Sequence, residues 1–250
     1  MLQIIKGILD LVYPPICAVC GADWDDGPLC TSCTSQFQPI CPPYCDRCGE
    51  PITLGDRHVL CYRCQTGPSP TYDWSEAAYQ YDGALLSAIH RLKYDGRKSL
   101  AKPLGHLLAL SLSNDSHLFD PPSGKTDQPR SYSFDLVIPV PLHPGRYRTR
   151  GFNQAEELAW EVATHHGWPM VTSSLARVRR TPSQTALSHN QRAHNMAGAF
   201  VVTDPDALEM RSVLLVDDVL TSTSTVREAS RAVMEAGAAR VCVLALARSV

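Results

Sequence analysis

An α/β fold with a mostly parallel sheet flanked by helices, preceded by a small cysteine-rich module, is predicted by three observations. Short apolar runs such as Phe134–Val140 and Val213–Val216 read as strands buried on both faces. Between them lie helical patterns closed by glycine, Asn153–His166 before Gly167 and Val226–Ala236 before Gly237. Nine of the ten cysteines fall within the first 64 residues, eight of them in C-x-x-C pairs. That alternation of apolar run and amphipathic helix is the pattern of βα units.

The elements follow in order. The opening MLQIIKGILDLVYPP holds an apolar set interrupted by Lys6 and Asp10 and has no small-residue cleavage site, so it reads as a short amphipathic helix rather than a signal peptide. No stretch approaches the ~18 uninterrupted apolar residues of a membrane-spanning helix, and no membrane insertion is expected. A linker, QTGPSPTYD at 65–73, divides residues 1–66, the N-terminal helix and cysteine module, from a second domain at 67–250. Ile89, Leu92 and Tyr94, then Leu100, Leu104, Leu107, Leu108 and Leu112, predict two helices parted by a turn at Asp95-Gly96. Ser113–Ser133, polar and proline-rich, reads as a surface loop. After the strand at 134–140 and the helix at 153–166 come strand-like Leu175–Val178 and Phe200–Val202. The strand at 213–216, its helix and a last strand, Val241–Ala247, complete the chain.

Composition bounds the function. The chain has 250 residues, 44% of them hydrophobic and 19% charged, as a core-forming protein has. A formal charge of −2 gives no global pull on nucleic acid or anionic lipid, so any anion site must be local.

The pairs Cys17/Cys20, Cys30/Cys33, Cys45/Cys48 and Cys61/Cys64 are separated by nine, eleven and twelve residues. Thiolates so spaced converge on tetrahedral Zn²⁺, two knuckles to an ion, and they suit a reducing, cytoplasmic compartment. Sequential pairing gives two zinc ribbons, while first-with-third and second-with-fourth satisfies the spacing equally. Gly21 and Gly49 follow second cysteines, as knuckle turns require. The metal's role is structural, supplying folding energy to a short segment. Arg47, Arg57 and Arg63 are outnumbered by Asp23, Asp25, Asp26, Asp46, Glu50 and Asp56, which makes the module a poor phosphate binder and favours a scaffold or protein-contact role. Cys242, in the last strand, reads as a small buried hydrophobe.

The sharpest chemistry lies in Val213–Thr225, VLLVDDVLTSTST. An apolar strand ends in Asp217 and Asp218, and a hydroxyl-rich loop then enters a helix. Ligands of open α/β sheets bind beyond the carboxyl ends of the strands. A helix N-terminus offers N–H groups and partial positive charge to an anion. Thr221, Ser222, Thr223, Ser224 and Thr225 add hydroxyl donors suited to phosphate, and adjacent carboxylates can hold a vicinal diol. The alternative is a hydroxyl-capped helix with two acids at its start. Arg146, Arg148 and Arg150, in PVPLHPGRYRTRGFNQ, concentrate the charge that pyrophosphate needs, or form a solvated basic loop.

VLLVDDVLTSTST resembles the phosphoribosyl pyrophosphate signature of type I phosphoribosyltransferases. YDG at 81–83, IHRLKYDGR at 89–97, PVPLH…RGFNQ at 139–154, and Gln184, Arg192 and Asn195 widen the resemblance to the ComF family, competence-associated and GntX-like proteins, over nearly the whole chain. The resemblance implies a type I phosphoribosyltransferase-like sheet behind a double zinc ribbon. It assigns Asp217 and Asp218 to the ribose hydroxyls and residues 221–225 to the 5′-phosphate; the enzyme reading adds Arg146 and Arg150 on the leaving pyrophosphate, with Mg²⁺ accompanying the ligand. It links the chain to DNA uptake and utilisation. As an enzyme the protein would be a pentosyltransferase moving phosphoribosyl to a nitrogen acceptor. A regulator that binds a ribose phosphate without chemistry, and an accessory that handles single-stranded DNA or contacts competence-machinery proteins, are the two rivals. Gln184, Arg192 and Asn195 fall in a stretch that reads as a closing loop or an exposed connection. One position departs from the signature: Thr223 stands where the family has glycine, so the loop either turns differently or holds phosphate less well.

Overall fold

A computed structural model describes residues 15–52, 60–112, 132–180 and 196–250. The expected N-terminal helix, most of the 113–133 loop, and Gln184, Arg192 and Asn195 lie outside the described residues.

Four parallel strands form the central sheet: β1 (Ser75–Gln80), β2 (Leu136–Pro139), β5 (Ser212–Leu220) and β6 (Arg240–Arg248), in the order β1-β6-β5-β2. A separate antiparallel pair joins β3 (Leu175–Arg177) to β4 (Phe200–Val202). The helices are α1 (Thr31–Thr34), α2 (Tyr62–Thr66), α3 (Gly83–Tyr94), α4 (Ala101–Ser111), α5 (Pro144–Arg150), α6 (Gln154–His166) and α7 (Ser224–Glu235).

Strand periodicity divides the core into two layers. In β5, Leu214 and Val216 point into one cluster, and Val213 and Leu215 into the other. In β6, Cys242, Leu244 and Leu246 alternate in the same way with Val241, Val243 and Ala245. Both faces are therefore dry, which is why these strands carry unbroken apolar runs. Leu85, Leu92, Leu104, Leu108 and Leu158 from α3, α4 and α6 fill the first layer; Val226, Ala229 and Val233 of α7 fill the second with Phe200 of β4. Cys242 is fully buried, and burial raises its thiol to about 12, as suits an inert core residue.

The cysteine-rich segment is docked on this body. Residues 38–40 lie antiparallel to β1: Ile40 donates to the Ala78 carbonyl at 3.0 Å, and Gln80 to that of Gln38 at 2.8 Å. They cover an edge that would otherwise be open. Cys17, Ala18, Leu29 and Cys33 pack into the first core layer, whereas Cys45, Cys48 and Cys64 form a small cluster with Ile52 and Leu60.

Two expectations need correction, and one strand was missed. The strand expected at 213–216 runs on to Leu220, because its ladder to β6 continues through Asp217↔Ala245 and Leu220↔Arg248. The two acids therefore belong to the strand's last residues and not to a following loop. The arginine segment is a helix, α5, started by Pro144 with the His143 ring accepting from the Gly145 N–H at 3.0 Å. A strand at 75–80 was not foreseen; Ser75 and Glu76 are both buried in it.

Candidate functional site

The carboxyl ends of the sheet carry the site. Asp217 and Asp218 lie near the carboxyl end of β5, beside its neighbours β2 and β6. Successive strand residues face opposite sides, so the two carboxyl groups take different surroundings. Asp218, buried, pairs with Lys93 of α3, Nζ to Oδ2 2.9 Å. Asp217 accepts the Asp218 N–H at 2.8 Å. Burial, reinforced by the charge of Asp218, pushes Asp217 up to about 7, while Lys93 and Arg177 pull the other way. Asp217 is thus poised to gain or lose a proton near neutrality, while Asp218 lies against an ammonium.

Cations surround the acids. Arg150 stacks over the Tyr94 ring at 5.3 Å and donates to the Gln154 side chain. Burial lowers its pKa, and the nearby Asp218 carboxylate raises it. Helical geometry sorts the arginines: Arg146 and Arg150 are four apart, on one face and half-buried, while Arg148 is exposed on another. Arg177, at the end of β3, is buried over the Phe200 ring at 5.5 Å. Its pKa is lowered by burial and then by Arg146, against the pull of Asp217. Three cations, Lys93, Arg150 and Arg177, thus act on the two carboxyl groups, and Arg146 in turn acts on Arg150 and Arg177.

The R-G-F-N-Q motif is the joint that aims Arg150. Gly151 ends α5 with φ 82°, a left-handed turn that suits glycine. Phe152 is buried under Lys98, and Asn153 Nδ2 donates to the Val140 carbonyl at 3.1 Å, tying the end of β2 to the start of α6.

The hydroxyl loop turns into α7 through Thr223, which has φ 57° and ψ 0°. Of the two outcomes expected at this position, the loop keeps a left-handed residue although that residue is β-branched. Ser222 and Ser224, both buried, share a hydrogen bond of 3.0 Å, and Thr223 Oγ1 donates to the Ser222 carbonyl at 2.7 Å. Thr221 is exposed and Thr225 half-buried.

Reading the sequence alone left out Lys93, Tyr94 and Arg177. The first two lie inside the IHRLKYDGR stretch, and Arg177 is the one cation in an otherwise apolar strand pattern; these were the available signals.

The cysteines gather sequentially, which resolves the two pairings left open. Cys17, Cys20, Cys30 and Cys33 form one group and Cys45, Cys48, Cys61 and Cys64 the other, with the four sulfurs of each within 4.8 Å of one another. Sulfur–sulfur distances are 3.8 Å for Cys17–Cys33, 3.7 Å for Cys20–Cys30 and 3.6 Å for Cys48–Cys61. A tetrahedron with Zn–S of about 2.3 Å has edges of about 3.8 Å, so both groups fit zinc. Gly21 and Gly49 take φ 75° and 68° at the knuckle turns. Cys41 is exposed and outside both groups.

Two four-thiolate centres docked on a parallel sheet with an acid pair at its carboxyl end define a zinc-ribbon protein with an α/β body. Residues 8–65 match the family model described as a double zinc ribbon domain. The chain is 31% identical over 248 residues to the DNA utilization protein YhgH of Shigella flexneri, covering 96% of this chain and 99% of that one. It is 29% identical to Competence protein F of Haemophilus influenzae (88% and 90% covered) and 26% identical to Competence protein ComFC of Streptococcus pneumoniae (90% and 89% covered). The chain belongs to the ComF family that these proteins represent. A glutamine phosphoribosylpyrophosphate amidotransferase from B. subtilis overlaps 59% of this chain and 26% of its own at 19% identity and a TM-score of 0.38, too remote to add to that assignment. Among the described residues no helix is long and apolar enough to cross a membrane.

Proposed function

We propose that the chain binds phosphoribosyl pyrophosphate at the carboxyl end of β5 and serves DNA utilisation, as the names of its relatives suggest. The observation that carries the reading is the juxtaposition of Asp217 and Asp218 with Lys93 and Arg150, one strand end away from the loop that enters α7. The ribose diol is held by the acid pair, and the 5′-phosphate by the N–H and hydroxyl groups of residues 221–225. The pyrophosphate lies toward Arg146 and Arg150, whose forks match its oxygens.

The chemistry that follows is electrostatic. Departing pyrophosphate gains negative charge, and cations already fixed in place stabilise it without reorganising. Asp218 has Lys93 as its counter-ion, so Mg²⁺ fits as a companion of the pyrophosphate rather than as an ion held by the acids alone. The expected partition into residues 1–66 and 67–250 assigns the ribbons to support and the remainder to the ligand.

The test is calorimetric titration with phosphoribosyl pyrophosphate and Mg²⁺, wild type against Asp217→Asn/Asp218→Asn. Saturable binding lost in the variant supports the reading, and equal affinity in both forms, or none in either, defeats it. Pyrophosphate release across a nucleobase panel then separates a transferase from a binding regulator. The single-strand DNA alternative draws on the half-buried Arg146 and Arg150. It requires salt-dependent binding that disappears when both become alanine.

A further inference from the structure

Both knuckles of the second cysteine group grip the segment that leads into the sheet. Cys64 lies in α2, which ends where the Gly67 N–H donates to the Arg63 carbonyl at 3.0 Å. Arg47, between Cys45 and Cys48, donates from Nη1 to Ser69 Oγ at 3.0 Å, and its carbonyl accepts the Ser75 N–H at 2.9 Å. Residues 67–72 are thus clamped from two sides. The same segment holds the phosphate loop. The Pro68 carbonyl accepts from the guanidinium of Arg227, in the first turn of α7, and the buried Tyr72 hydroxyl interacts with the Thr223 side chain.

A third tie runs through β6. Arg248 is 1% exposed, and its Nη1 has no hydrogen-bond partner among the described residues. Its approach to Glu50 is distant, 3.8 Å, and Glu50 also pairs with Arg63. A buried guanidinium needs compensating charge. The second cysteine group supplies it, because four thiolates outweigh one Zn²⁺, and Arg248 acts electrostatically on Cys48. Arg248 is also the ladder partner of Leu220, which leads into the hydroxyl loop, and the Ser249 N–H donates to the Leu220 carbonyl at 2.9 Å. The loop is therefore tied at Leu220, Thr223 and Arg227, each time to the second ribbon or to the segment leaving it. The first cysteine group lies elsewhere: Cys17, Cys30 and Cys33 pack into the first core layer, whereas α7 belongs to the second.

We propose that the second zinc centre sets the conformation of the phosphate loop, with Arg248, Arg227 and Tyr72 as the positioning residues that carry its hold, and that the first centre does not. A metal that cross-links two knuckles fixes residues 67–72. Those residues in turn hold a loop whose left-handed turn at Thr223 is strained for a β-branched side chain. The coupling takes its functional meaning from the phosphoribosyl pyrophosphate site proposed above: a loop already held in the binding conformation gives higher affinity than one that the ligand must order. The competing role for the second ribbon is plain docking, in which it covers the body without shaping the loop.

The experiment reads amide hydrogen exchange over residues 220–227 in the full chain, beside calorimetric titration with phosphoribosyl pyrophosphate and Mg²⁺. Cys61→Ser and Cys20→Ser each remove the most accessible ligand of one ribbon, and a mild chelator wash then empties that site, as metal analysis checks. Cys61→Ser should speed exchange of the loop amides by about 10-fold or more and weaken the ligand by a similar factor. Cys20→Ser should change neither by more than about 2-fold. Arg248→Gln should release the second zinc to a chelator about 10-fold faster than wild type. Because a ribbon variant that unfolds would blur the comparison, Tyr72→Phe/Arg227→Gln, which leaves every cysteine in place, is the second probe. It should keep both zinc ions and speed exchange in the loop while β5 and β6 exchange as in wild type, whereas a merely structural role would move all three. Equal effects of Cys20→Ser and Cys61→Ser overturn the proposal. So does wild-type loop exchange in Cys61→Ser or in Tyr72→Phe/Arg227→Gln, or unchanged zinc release from Arg248→Gln. Failure of wild type to bind phosphoribosyl pyrophosphate defeats the earlier reading alone, since exchange decides the coupling without ligand.

Discussion

Replacing Thr223 by glycine removes a strained residue from the centre of the phosphate loop. Thr223 sits at φ 57° and ψ 0°, where a side chain with Cβ pays about 1–2 kcal/mol, and β-branching makes this conformation still rarer. Glycine releases that strain but loses more backbone entropy on folding, about 0.5–1 kcal/mol. The hydrogen bond from Thr223 Oγ1 to the adjacent Ser222 carbonyl that is given up is local and partly solvated, and the Thr223 side chain also interacts with the Tyr72 hydroxyl. The balance predicts that Thr223→Gly stabilises the protein by roughly 0.5–1 kcal/mol, a rise of about 1–4 °C in Tm for a chain of this size. Urea unfolding of zinc-loaded protein at neutral pH measures it, with an unchanged m-value showing that the transition is the same one. Destabilisation by about 1 kcal/mol or more would refute the strain argument and mean that the threonine side chain makes contacts worth more than its backbone conformation costs. Thr223→Ala, which keeps Cβ and loses the hydroxyl, should be neutral or slightly worse than wild type.

The other expectations concern charge, backbone and metal. Asp217 is raised to about 7 in the folded state from about 3.9 in unfolded chains, so the folded state holds the extra proton between those values. Stability therefore falls as pH rises through that window, and Asp217→Asn should flatten the slope and add up to a few kcal/mol at pH 8, seen in urea midpoints against pH. Lys93→Met leaves the buried Asp218 carboxylate without its ammonium and should cost about 2–4 kcal/mol, most of it recovered by adding Asp218→Asn; a double-mutant cycle reads the coupling. Gly49→Ala should cost about 2–4 kcal/mol, since the residue has φ 68° and a Cβ there would stand 2.4 Å from the Ser75 carbonyl oxygen. Gly21→Ala, at φ 75° but facing open space, should cost only about 1 kcal/mol, and thermal melts compare the two. Metal analysis should find two zinc ions per chain, and chelation should expose eight further reactive thiols with loss of ribbon structure.

The parts of this architecture set by short-range rules were legible in the sequence. The cysteine pairs declared their metal because ligand geometry is local, although only the folded chain chose sequential pairing. The helices at 83–94, 101–111, 154–166 and 224–235 and the buried strands followed from apolar periodicity. What escaped was fixed by tertiary context. β5 continues through two aspartates because β6 supplies its ladder, and β1 buries Ser75 and Glu76 because it lies between β6 and residues 38–40. The arginine segment lacked an apolar face to announce a helix, yet Pro144 and His143 start one and thereby bring Arg146 and Arg150 to the same side. Lys93 looked like any cation on a helix surface. Its role as partner of Asp218, more than 120 residues further on, exists only once α3 packs across the carboxyl end of the sheet.

The position of the bound ligand tests the proposed site most directly. A crystal structure of the zinc-loaded protein with phosphoribosyl pyrophosphate and Mg²⁺ should show the ribose hydroxyls within hydrogen-bond distance of Asp217 and Asp218. It should also show the 5′-phosphate on the amides of residues 221–225 and the pyrophosphate beside Arg146 and Arg150. Ligand density that leaves the acid pair with Lys93 alone, or that places the sugar away from the end of β5, would contradict it.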